Sequence, residues 1–141
     1  MTTATETQQA PAPAVLSGVA PYLSVDGAVK ASDFYQKALG AKELMRHPVD
    51  DQGRTMHIHL NINGASVMLA DFYPEHGGGK VEPAAVTLHL QVEGVDGWWK
   101  RAVDGGFEIV LPLQDMFWGD RYGQLRDPFG HMWSMGETPK A

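Results

Sequence analysis

The chain has 141 residues, 43% of them hydrophobic, with no cysteine and a formal charge of −6. That length and apolar share suit one domain that folds without a disulfide or a structural metal, and the missing cysteines remove thiolate catalysis and thiolate metal sites. The acidic balance offers no basic stripe to nucleic acid or an anionic membrane, and no apolar run reaches the roughly 18 residues of a transmembrane helix, so neither partner is expected and the expected location is the cytoplasm.

Residues 1–17, rich in Thr, Ala, Gln and Pro, read as a disordered tail. A strand is predicted over 19–25, then a helix over 28–39 with Ala31, Phe34, Tyr35, Ala38 and Leu39 at helical spacing, stopped by Gly40. Strands follow over 42–49, 54–62 and 65–72, the last two joined by the hairpin signal Asn63-Gly64. Residues 73–83, with Gly77-Gly78-Gly79, read as a linker. The order then recurs: strand 85–92, helix 95–103 closed by Gly105-Gly106, and strands 107–113, 121–126 and 132–136, the last after the turn Asp127-Pro128-Phe129-Gly130. Asp26 and Asp96 read as helix-start residues. Trp98 and Trp99 are adjacent on a helix, so one is expected to pack on the sheet and the other to lie elsewhere, as at a subunit contact.

The recurrence has a ruler. Val25-Asp26-Gly27 returns as Val92-Glu93-Gly94, 67 residues on, and Gly64 returns as Gly130, 66 residues on. Two copies of a βαβββ module (18–72 and 84–137) are predicted within one domain, 18–137, with a cleft between them.

Asp33-Phe34-Tyr35-Gln36-Lys37-Ala38-Leu39-Gly40, with Asp127-Pro128-Phe129-Gly130-His131 before the final strand, resembles the glyoxalase, bleomycin-resistance and extradiol dioxygenase superfamily, also called vicinal oxygen chelate proteins. Phe117-Trp118-Gly119-Asp120-Arg121-Tyr122-Gly123 followed by Asp127 to Trp133 is similar to its phosphonate-operon-associated branch. The resemblance implies an α+β fold whose two modules form a half-open mixed barrel around a cavity, and a homodimer. It also implies metal ligands on the first and last strands of each module. The matching places hold Ala20, Met68, Thr87 and Ser134, none an imidazole or a carboxylate, so no metal and no cofactor is expected.

Strand alternation predicts the cavity wall. Tyr22, His57, His59, Met68, His89 and Ser134 fall on it, and the same count puts Arg121 and Leu125 beside Met132 and Ser134. Such a wall suits a small hydrophobic or aromatic ligand. Arg121 is a candidate for an anionic group, or else an ion-pair partner of Asp120 or Asp127. Trp118 and Tyr122 are candidate covers for an aromatic ring, with core or dimer packing as the alternative for the Phe117-Trp118 pair. His131 and Trp133 lie on the other parity and read as structural. The competing expectation is an enzyme: a metal-dependent lyase, isomerase or dioxygenase using an unorthodox His57, His59 and His89 set, or a metal-free proton-transfer catalyst using one of them.

Overall fold

The computed structural model describes residues 12–77 and 79–140, and its backbone follows the repeat. The first module runs β1 (Tyr22–Val25), α1 (Ala28–Leu39), β2 (Lys42–Arg46), β3 (Ile58–Ile62) and β4 (Ala65–Asp71). A 3-10 turn at Pro74–His76 leads to the second: β5 (Thr87–Gln91), α2 (Val95–Gly105), β6 (Glu108–Asp115), β7 (Arg121–Arg126) and β8 (Met132–Glu137). Each module forms its own four-stranded sheet, ordered β1-β4-β3-β2 and β5-β8-β7-β6, with the first strand parallel to the last. This is the expected α+β pair of βαβββ modules, left open as two sheets.

Several elements are shorter than alternation alone suggests. The strand predicted from 54 starts at Ile58 because Thr55 turns its N–H to the Asp71 carboxylate, 2.9 Å away, instead of continuing the ladder. Of the expected N-terminal tail, residues 1–11 lie outside the described residues, as does Gly78 of the linker. Leu16 is held: Ser66 N–H donates to its carbonyl at 3.0 Å, and its own N–H donates to Ser66 Oγ at 2.8 Å.

The helix starts differ from the sequence expectation. Gly27 and Gly94 occupy the N-cap positions in left-handed conformation, and neither offers a side chain. The orphan N–H groups of a first helical turn need acceptors, and the last strand of each module supplies one. Asp71 accepts from Gly27 and Ala28 at 2.8 and 3.0 Å; Glu137 accepts from Gly94 and Val95 at 3.0 and 2.9 Å. Asp96 lies in the first turn of its helix, as expected, and pairs with Arg121, while Asp26 stands outside the helix it precedes and pairs with Lys80.

Helix α1 packs on β3 and β4, and α2 on β6 and β8. Leu23, Val25, Ile58, Leu60 and Leu69 meet Ala31, Tyr35 and Leu39, while Leu90, Leu125, Trp133 and Met135 meet Val95 and Ala102, all within one buried cluster. Trp99 sets its six-membered ring against Gly123, where any Cβ would come within 2.5 Å of it, and this is the expected packing of one of the paired tryptophans on the sheet. The modules join through Phe34 against Phe107 and Tyr35 against Trp133, with ring centroids 5.0 and 5.5 Å apart. The two sheets also touch at their near edges, where Asn63 Nδ2 donates to Gln91 O and His131 Nε2 to Ser24 O, each at 3.1 Å. The sheet faces turned away from the helices carry no helix and form the open face of the molecule.

Candidate functional site

In the first sheet, Tyr22 pairs with Met68 and Met68 with His59, which puts the three on the open face. In the second, His89 pairs with Ser134 and Ser134 with Gln124. Tyr22 and His89 are thus the first-strand residues level with Met68 and Ser134. Thr87 is a two-residue step away, and Ala20 precedes the strand.

Two aromatic bridges cross this face. The Tyr22 hydroxyl reaches over the β4 strand to His57 Nδ1 at 2.6 Å and also donates to the Met56 carbonyl at 3.1 Å. His89 reaches over β8 towards Tyr122, the rings stacked with centroids 5.9 Å apart. Gly136 makes room for it, since a Cβ there would sit 3.0 Å from His89 Cε1. Trp118, half exposed, extends this stack by an edge contact with Tyr122 at 5.7 Å, while Phe117 is 97% exposed beside it.

The histidines differ in what they have left to offer. His59 is 2% exposed and bonded through Nε2 to Ser66 Oγ at 2.7 Å, the same hydroxyl that holds Leu16. It is a satisfied interior residue, and Met68 and Ser134 are buried with it. His89 has both ring nitrogens engaged, Nδ1 with Ser134 Oγ at 2.7 Å and Nε2 with Gln91 Oε1 at 2.8 Å. His57 is half-buried, flanked by His47 and His59 with ring centroids 5.1 and 6.4 Å away.

Burial, and then the neighbouring His47 and His59, push the His57 pKa below the ordinary imidazole value. The folded chain therefore resists a proton that the unfolded chain accepts once pH falls below about 6.5, and folding stability drops as pH falls through that range. Melting temperature is expected to fall from pH 7 to pH 5, with a shallower slope in His57→Gln; an unchanged slope in the variant would remove His57 as the cause.

Arg121 and Leu125 are on the other face, contrary to the repeat-based count. The first hairpin turns through Asn63-Gly64 alone, whereas Asp127 to His131 separate β7 from β8. The difference in loop length is odd, so the register slips by one and every β7 side chain changes face. Tyr122 and Gln124 take the open face instead. Arg121 donates to Asp96 at 3.0 Å and Asp115 at 3.1 Å, an ion-pair role with different partners from those expected. His47 was also missed, although continuing the alternation of β2 past Met45, the partner of His59, leads to it.

Three cavities border the open face and its rim. One of ≈ 290 Å³ is lined by Tyr22, Val86, Leu88, His131 and Met132. A second of ≈ 500 Å³ is lined by His47, Val49, Met56 and Tyr73 together with the Arg54 ion pairs to Asp50 and Glu75. The third, ≈ 560 Å³, lies under the linker between Ser24, Tyr73, His76, Val81 and His131.

Residues 18–135 match the Glyoxalase/Bleomycin resistance protein/Dioxygenase superfamily, and the chain belongs to this family. It is 47% identical over 125 residues to the Mycobacterium tuberculosis protein Rv0887c, spanning 84% of this chain and 73% of that protein. Its fold is similar to that of TioX from Micromonospora sp. ML1, with a TM-score of 0.69 at 27% identity over 87% of this chain and 99% of TioX. The PhnB protein from Bacillus cereus shares the fold, with a TM-score of 0.68 at 20% identity over 86% of this chain and 100% of that one.

A divalent metal of the kind this family's chelating members hold needs about three imidazole or carboxylate ligands around one point. The residues here do not fit one. Among the described residues no three of His, Asp and Glu converge, and His57 and His59 stand on the first sheet while His89 stands on the second. Four of their six ring nitrogens are engaged by Tyr22, Ser66, Ser134 and Gln91.

Proposed function

We propose that this chain binds a small, partly aromatic molecule on the open face, without a divalent metal, in a site closed by a second copy of the chain. The observation that supports it best is the donor set. The positions level with one another on the first and last strands are Tyr22 with Met68 and His89 with Ser134, and their polar atoms bond to each other and to neutral neighbours. A wall of phenol, imidazole and indole rings, most of whose polar atoms are already engaged with one another, favours containment of an aromatic body over chelation. Tyr22 is 53% exposed and Trp118 50% exposed, surfaces that a ligand and a partner subunit would cover together.

A ligand that binds only the folded chain raises its melting temperature. Screening small aromatic compounds with and without added zinc, manganese, iron or nickel is expected to give stabilising hits that persist in EDTA. Hits that require metal and vanish in a His57→Ala, His59→Ala double variant would overturn the reading. Light scattering is expected to give twice the chain mass at micromolar concentration.

A further inference from the structure

We infer that His57 Nε2 is a hydrogen-bond acceptor reserved for a ligand hydroxyl, so that the molecule held at this face is a phenol. The inference rests on the binding reading above and narrows its ligand class.

Tyr22 has a single hydroxyl hydrogen, and its oxygen lies 3.1 Å from the Met56 carbonyl, an acceptor with no hydrogen to give. Both contacts of this oxygen are hydrogen bonds only when the phenolic hydrogen points to Met56. The 2.6 Å contact between the same oxygen and His57 Nδ1 then needs its hydrogen from the imidazole. Nδ1 is protonated, and in the neutral ring Nε2 carries the lone pair. Burial and the two adjacent imidazoles favour that neutral ring. Burial also raises the Tyr22 pKa, which keeps the phenol protonated and the arrangement fixed.

The other two histidines first singled out differ, since His59 is only 2% exposed and His89 has both ring nitrogens engaged. Gln91 Oε1 is an acceptor, so the 2.8 Å contact protonates His89 Nε2, and its Nδ1 lone pair is taken by the Ser134 hydroxyl. His59 Nε2 is closed off against Ser66. His57 Nε2 makes no hydrogen bond among the described residues. No buried side-chain nitrogen or oxygen among the described residues lacks a partner, so this lone pair opens to the face, where it can receive a donor, and a neutral one suits a ring set between other imidazoles. A hydroxyl on a planar ring fits the rest of the surroundings: the Tyr22 and His47 rings lie 5.5 and 5.1 Å away, and Met56 is 52% exposed beside them.

Two measurements on the full-length chain test it. Long-range 15N–1H NMR above the ordinary imidazole pKa is expected to show His57 with protonated Nδ1 and bare Nε2, and Tyr22→Phe is expected to lose that preference; a wild-type ring protonated at Nε2 overturns the inference. Titration calorimetry with 4-chlorophenol and 4-chloroanisole, in which a methyl group replaces the hydroxyl hydrogen, is expected to favour the phenol by about tenfold, the effect of one hydrogen bond. His57→Phe is expected to abolish the difference. Equal binding of the two probes to wild type, or a preference that survives in His57→Phe, overturns the inference alone. Binding of neither probe at millimolar concentration overturns the binding reading with it.

Discussion

Gly105→Ala is expected to destabilise the chain by about 2–3 kcal/mol, the cost of forcing an extra carbon into a full helix crossing. A Cβ at Gly105 would stand 2.7 Å from the Cβ of Ala38 and 2.8 Å from its Cα. The second contact decides the sign, because a backbone atom of a fully buried helical residue cannot swing aside as a side-chain tip can. Alanine gains at most about 1 kcal/mol over glycine in helix propensity, and less in a final turn, so overpacking wins. Parting α1 from α2 would also pull Arg101 from the Lys37 and Gln36 carbonyls, to which it donates at 3.0 and 3.3 Å. Those carbonyls belong to the last turn of α1, which has no intrahelical partners for them. Gly97→Ala is the control: it lies in the same helix with nothing within 4 Å of an added Cβ, and it is expected to be neutral or slightly stabilising. Urea unfolding of the two variants measures the contrast, and equal midpoints would refute close packing at this crossing.

The tandem modules could be read from the sequence because their signals are local or periodic. Asn63 and Gly64 both take positive φ, 52° and 85°, as a two-residue hairpin of this type requires, and no distant contact is needed to anticipate it. The placement of Met68 opposite His59 follows directly from that turn. Where the second hairpin has a longer loop, the same count fails by one residue and sends Arg121 to the wrong face. The caps supplied by Asp71 and Glu137 are 44 and 43 residues from the Gly27 and Gly94 amides they satisfy, beyond the reach of a start-signal search. Their 66-residue separation is the repeat itself, so aligning the two copies would have paired them. His59 was drawn to the site by correct parity, but parity is blind to coverage. The Leu16 main chain, in a stretch whose composition suggested no order, closes on Ser66 and leaves His57 as the accessible member of the pair.

Asp127→Ala is expected to be the most damaging single change outside the ligand face, costing about 3–5 kcal/mol. The carboxylate is 3% exposed, and its four donors come from three directions. Oδ1 accepts the Phe129 and His131 N–H groups, both at 2.9 Å, which shapes the turn into β8. Oδ2 accepts Trp133 Nε1 at 2.9 Å and the Tyr35 hydroxyl. Tyr35 belongs to α1 of the first module and is fully buried, its hydroxyl pKa pushed well up by burial and then by the adjacent carboxylate. Removing Asp127 leaves a phenol, an indole N–H and two amides without acceptors in a space that admits little water, and a stranded buried donor costs more than a satisfied one contributes. The same carboxylate ties the helix of one module to the last strand of the other, so its loss is expected to loosen the junction as well as the turn. A double-mutant cycle separates the two effects. Tyr35→Phe alone removes one donor and leaves the charge with three. In the Asp127→Ala background it removes a stranded hydroxyl, so the double variant is expected to be more stable than the two single losses added together. Strict additivity would mean that the turn amides and the indole carry the whole penalty, and that the bond between the modules contributes nothing to holding them together.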